Sequence, residues 1–172
     1  MDNETHVIKA GSTAHGQFET DVSIERAGWE WSSIRVLALP AGGSETVASG
    51  VSELLVLPLS GGCAVEVNGE THVLNGRKEV WSAITDYLYI PRETTFTVRS
   101  ESGGRFALPA AKATRDLPVR YCPVTEVVTT LRGAGPCSRQ VNNYALGNDL
   151  ETSHLLACEV LTPGGNWSSY PP

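Results

Sequence analysis

Glycine or proline interrupts this chain every few residues, with 17 glycines and 10 prolines spread over 172 positions. Long helices do not survive such punctuation, because proline removes an amide donor and glycine costs backbone entropy. Between the breaks lie short runs rich in Val, Leu, Thr and Tyr. "SIRVLAL" (33–39) reads as a strand ending at Pro40. "VSELLVLPL" (51–59) is apolar on both faces and is expected to end at Ser-Gly-Gly. "CAVEV" (63–67) and "ETHVL" (70–74) flank Asn68-Gly69, a strong hairpin signal, since a type I′ turn needs two positive φ angles. Further strands are expected at 86–90, 94–98, 125–131, 139–146 and 154–161, with one helical turn near Ala110–Thr114. Many short strands at fairly even spacing predict an all-β sandwich or barrel.

The balance of 13 basic against 19 acidic side chains gives a net charge of −6, and no basic run occurs. Nucleic acid is therefore not an expected partner. One or two local arginines still suffice for a small anion. The opening "MDNETHVIKAG" lacks the apolar stretch of a signal peptide, and "ELLVLPL" is far too short to span a membrane. Cys63, Cys122, Cys137 and Cys158 have no zinc-like spacing and read as reduced packing thiols of a cytoplasmic protein. The charged stretch "GRKEVW" (76–81) reads as a solvated loop. There is no phosphate loop and no nucleophile elbow.

Two units follow. Residues 1–110 hold enough strands for a small barrel, 111–123 read as a linker carrying Pro118 and Pro123, and 124–172 hold about three strands. Three strands cannot bury themselves alone, so Leu155, Leu156, Val160 and Leu161 need a covering sheet. The strands of 124–161 are expected to pair with the sheet of the first barrel, which would leave no long open edge.

The segments "CEVLTPGGNWSSYPP" (158–172), "LRGAGPCSRQVNN" (131–143) and "YIPRETTFTV" (89–98) carry a family resemblance. With most of the chain from "GWEWSSIRVLAL" onward, they resemble the 5-deoxy-glucuronate isomerases of myo-inositol catabolism. These share a bicupin family with the 5-keto-4-deoxyuronate isomerases of pectin breakdown. The resemblance implies a cupin-type β-barrel (jelly roll) plus the first strands of a second cupin barrel. It also implies an aldose–ketose isomerase acting on a small sugar acid. A homo-oligomer is compatible with the sequence.

In that family a His-x-His pair, a Glu and a third His follow the two prolines and hold a divalent metal, zinc or a similar first-row ion. The resemblance thus places the ligands beyond Pro172, with no metal bound to this chain and no activity from these residues alone. The first barrel is expected to be metal-free: Phe96 of "PRETTF" stands where metal-binding relatives carry histidine, and Gly43–Glu53 contains none. His6, His15, His72 and His154 each read as solvated or structural.

The expected substrate-binding residues are Arg139, Trp167, Ser168 and Ser169. A guanidinium suits a uronate carboxylate, an indole the C–H face of a sugar, and hydroxyls its oxygens. Of Asn142 and Asn143, at most one can face a cavity, because neighbours on a strand point to opposite sides. A non-catalytic sugar-binding or oligomerisation module, and the pectin-derived isomerase, are the competing readings.

Overall fold

A computed structural model describes residues 7–147 and 149–169. Pro171, Pro172 and His6 lie outside these residues. The described residues are all-β apart from a four-residue helix (Ile24–Ala27) and single helical turns. Nine strands build the first unit: β1 (Phe18–Val22), β2 (Ser32–Leu39), β3 (Gly43–Ala48), β4 (Ser52–Val67), β5 (Glu70–Arg77), β6 (Tyr87–Ile90), β7 (Thr95–Ser100), β8 (Gly104–Lys112) and β9 (Arg120–Cys122). All pairings are antiparallel. One layer runs β1-β2-β8-β4-β6-β9, and the other joins β5, β4, β7 and β3.

β4 belongs to both layers. Its first half pairs with β8 and β6, and its second half with β5 and β7. The Gly61-Gly62 pair, expected to end the strand, instead bends it from one layer into the other. The register shifts between Gly61 and Cys63, and Gly61 has φ +75°. Glycine here serves a bulge with close backbone approach. The hairpin at Asn68-Gly69 forms as expected, with φ of 52° and 79°.

Strand alternation explains why 51–59 is apolar on both faces. Leu54 and Val56 point into the barrel with Leu88, Ile90, Phe96, Phe106 and Leu108. Leu55 and Leu57 point outward with Tyr87, Tyr89 and Ala107, into a second buried cluster. Each such side chain contributes about 1.5–3 kcal/mol on burial. This is a cupin-type jelly roll whose interior is filled by apolar side chains.

Other expectations need correction. Ala110–Thr114 is not a helical turn. β8 runs to Lys112 because it is hydrogen-bonded on both sides, by β2 and β4. Within 111–123, Arg120–Cys122 is a strand on β6. The run from His154 becomes strand only at Ala157.

A separate three-stranded sheet follows: β10 (Val128–Arg132), β11 (Arg139–Ala145) and β12 (Ala157–Leu161), with β11 central. It does not extend the ladder of the first barrel. It lays one face over it instead, because the outward side chains of β4, β6 and β8 already form an apolar surface. Tyr144, Ala145, Leu150 and Leu155 are buried against that surface. The rings of Tyr87 and Tyr144 meet edge to face at 5.2 Å, and the Tyr87 hydroxyl donates to the Tyr144 carbonyl. Leu156 and Val160 remain exposed.

Candidate functional site

The seam between barrel and second sheet is polar at its far end. Register places Thr129, Asn142 and Glu159 side by side across β10, β11 and β12. Facing them is Arg77, at the end of β5. Its Nη1 and Nη2 donate to Oε2 and Oε1 of Glu159 at 2.9 and 2.5 Å. Its Nε donates to the Pro58 carbonyl at 3.0 Å and Nη1 to Ala83 at 3.1 Å. Asn142 Nδ2 donates to Glu159 Oε2 at 2.9 Å. Asn142 Oδ1 accepts from Gln140 Nε2 at 2.9 Å and from Thr129 Oγ1 at 3.1 Å. Burial alone lowers the basicity of Arg77, but the bonds and charge of Glu159 outweigh it and raise its pKa above the usual guanidinium value. Arg77 was expected in a solvated loop. Its guanidinium is fully buried, because Glu159 and three carbonyls satisfy it there.

The other end of the seam is closed by Glu53, on the outward face of β4. Its carboxylate accepts from the backbone N–H groups of Ser153, His154 and Leu155 at 2.8, 2.6 and 2.7 Å, and from the Tyr89 hydroxyl at 2.6 Å. Burial pushes the Glu53 carboxyl up, yet the four donors together outweigh it and hold the group below the usual carboxylate range.

Beside the Arg77 end of the seam, where Arg77 bonds the carbonyls of Val80 and Ala83, lies a cavity of about 750 Å³. The loop carrying Trp81, Ser82 and Ile84 forms one wall, and the ends of β10, β11 and β12 form the other. Arg139 lines it, as do Arg132, Gln140 and Ser138. Arg139 is half-buried and donates Nη1 to the Cys137 carbonyl at 3.0 Å. The loop carrying Trp167 is fastened to the turn that precedes Arg139: Trp167 N donates to the Pro136 carbonyl at 2.7 Å, and Asn166 Nδ2 to Ser138 at 2.9 Å. Trp167, Ser168 and Ser169 are exposed and do not line the cavity. The structure therefore brings the two loops together without bringing these side chains onto one wall. Asn142 belongs to the Arg77–Glu159 network, so Asn143 is the asparagine on the opposite face, with Nδ2 donating to Val128 at 2.8 Å. Sequence reasoning missed Arg77, Glu159, Arg132 and Trp81. The pairing of "LRGAGPCSR" as two strands around a Gly-Pro turn was the signal that Arg132 lies opposite Arg139.

The histidines are dispersed. His15 lies 3.5 Å from Asp21 and stacks on Phe18, His72 lies 3.7 Å from Glu70, and His154 meets Thr114 and Trp31. Among the described residues no group of three His, Cys, Asp or Glu side chains is placed to hold a metal ion, so their donor set does not fit one. Phe96 is packed in the barrel interior. The cysteines are unpaired, and burial pushes the Cys63 thiol up to about 12. Among the described residues no helix is long and apolar enough to cross a membrane.

The KduI/IolB family model matches residues 6–172. The chain belongs to the KduI/IolB family. Its similarity to curated family members is substantial. It is 33% identical over 153 residues to a 5-deoxy-glucuronate isomerase of Geobacillus thermodenitrificans (strain NG80-2), covering 88% of this chain and 56% of that protein. It is 30% identical over 173 residues to a 5-deoxy-glucuronate isomerase of Shouchella clausii (strain KSM-K16), covering 98% and 62%. The chain thus spans little more than half the length of these relatives. Among solved structures, an IolB-like protein from Salmonella typhimurium LT2 superposes with a TM-score of 0.80 at 28% identity, covering 92% of this chain and 61% of that one.

Proposed function

We propose that this chain is part of a 5-deoxy-glucuronate isomerase, which converts 5-deoxy-D-glucuronate to 2-deoxy-5-keto-D-gluconate in inositol catabolism. The observation that carries this reading is the family match over residues 6–172, together with the names of the curated relatives. The reaction moves a proton from C2 to C1 of an α-hydroxy aldehyde through an enediol, and the carbonyl passes from C1 to C2. No atom is gained or lost.

The part of this chain in that reaction is architectural and recognitional. The jelly roll, closed by β9 (Arg120–Cys122), is the supporting unit, and 124–172 supplies the first strands of a second barrel. Arg139 holds the substrate carboxylate by two parallel hydrogen bonds. Trp167 offers a flat face to the sugar, and Ser168 and Ser169 bond its hydroxyls. The divalent ion of the family reaction, zinc or a similar first-row ion, is held by residues other than those described. It would supply charge stabilisation for the two enediol oxygens. The protein acts on a small sugar acid in the cytoplasm, in keeping with its unpaired cysteines.

The test is an assay of a polypeptide extended to the length of the family relatives. It should turn over 5-deoxy-D-glucuronate, with 2-deoxy-5-keto-D-gluconate identified by mass and NMR. Inertness toward that substrate, or preference for 5-keto-4-deoxyuronate, would overturn the assignment.

A further inference from the structure

Strand alternation sends one side of β2 into the first barrel, where Leu37 and Leu39 are buried with Phe106 and Leu108 of β8. Toward the start of β2 the same face carries Arg35 and Ser33, opposite Leu108 and Ala110. Ser52 opens β4 on the face of Leu54 and Val56. The apolar filling of the jelly roll thus gives way to polar groups at one end, around a cavity of about 360 Å³. On β1, Asp21 stands directly opposite Arg35, and both line this cavity. Opposite charges at such a position ordinarily attract each other into a pair, yet these two form no ion pair. The Asp21 carboxylate lies 3.5 Å from His15. The half-buried Arg35 guanidinium lies over the Phe18 ring, 5.7 Å from its centroid, and Nη2 makes only a long bond to the Ala48 carbonyl at 3.5 Å. Burial pulls its pKa below the usual guanidinium value, and the charge of Asp21 offsets this only in part.

We propose that this open end of the first barrel binds a neutral monosaccharide or cyclic polyol. A vicinal diol fits a donor and an acceptor that are held apart: one hydroxyl oxygen accepts from the Arg35 guanidinium, and the neighbouring hydroxyl donates to the Asp21 carboxylate. Ser33 and Ser52 offer hydroxyls to further ring oxygens, and Ile24 and Val51 give an apolar edge for C–H groups. Charge selects a neutral ligand. Asp21 and Glu25, both in the wall, repel an anion, and Arg35 repels a cation. The volume lies at the small end of the range for ligand pockets, and barrel mouths are a favoured place for them. The site belongs to the first barrel and stands whether or not the isomerase reading does.

The experiment is a titration of the 15N-labelled 172-residue protein with D-glucose, D-galactose, D-mannose, D-xylose, D-glucuronate and inorganic phosphate, read from backbone amide shifts. At least one neutral sugar should move the amides of Ser33, Gly50, Val51 and Ser52 saturably. D-Glucuronate should act on them more weakly than D-glucose, and phosphate not at all. Arg35→Gln should weaken the sugar at least about tenfold, since one charged contact of this kind is worth about that factor. Because that change also removes the contact with Phe18, a second variant guards the test: Ser33→Val suits a strand, fills the cavity and should abolish the shifts with the remaining spectrum unchanged. No response of these amides to any of the four neutral sugars, phosphate or D-glucuronate acting there as strongly, or an undiminished response in a folded Ser33→Val protein would each overturn the site.

Discussion

Arg77 and Glu159 are separated by 82 positions and bind each other where neither has an alternative charged partner. Removing one member strands a buried charge. Arg77→Ala is expected to cost about 3–5 kcal/mol in urea unfolding, whereas replacing both residues by apolar ones of similar volume should cost far less. Glu53 makes a pH-dependent contribution of defined sign. Its folded-state carboxyl titrates below the usual range, so the stability it adds is present above that range and is lost as pH falls through the folded value. Unfolding free energy measured against pH should drop on acidification. Glu53→Gln should flatten that drop and cost about 1–3 kcal/mol at neutral pH, through the backbone donors left poorly matched. Little of this was legible. In sequence, Arg77 stands beside Lys78 and Glu79 and looks like any solvated charge. Glu53 interrupts an apolar run with no sign of the three amides it caps. The choice of Arg139 as a substrate contact rests on the family resemblance.

At the scale of elements, short-range signals were read well and long-range ones poorly. Asn68-Gly69 encodes its own turn, so the β4–β5 hairpin was visible. The Gly61-Gly62 bend was not, because a glycine pair ends a strand or bends it according to what packs against it. Here a side chain at Gly61 would come within 2.4 Å of the Gly103 carbonyl, and one at Gly76 within 1.9 Å of the Gly61 carbonyl. Gly76 also has φ +67°. Gly76→Ala should therefore destabilise by about 1–3 kcal/mol or more in thermal or urea unfolding, well beyond the ordinary gain from reduced chain entropy. Strands β1, β3, β8 and β9 escaped notice for a related reason: in "RFALPAAK" the alternation is diluted by alanines and a proline, and only its two neighbouring strands make it a strand.

For the whole molecule, the both-faces apolarity of 51–59 was the most informative sequence signal, since it demanded a cover on the outside of the barrel. How that cover would sit was not legible: edge pairing and face-to-face docking satisfy the same pattern. The inward-turned rows Thr129–Asn142–Glu159 and Leu131–Gln140–Leu161 decide for docking, because Arg77 and the outward tyrosines await them. Docking leaves a cavity of about 750 Å³ between the Trp81 loop and the ends of β10, β11 and β12, and no group of described residues assembled to hold an ion. The function proposed above has these residues brace a second barrel and contribute contacts to a sugar acid, while the isomerisation itself draws on groups elsewhere in the family fold. The most direct measurement is turnover of 5-deoxy-D-glucuronate, with divalent ions supplied, by the 172-residue chain and by a polypeptide extended to the length of the relatives. The account predicts no turnover above background for the first and clear turnover for the second; isomerisation by the 172-residue chain would contradict it.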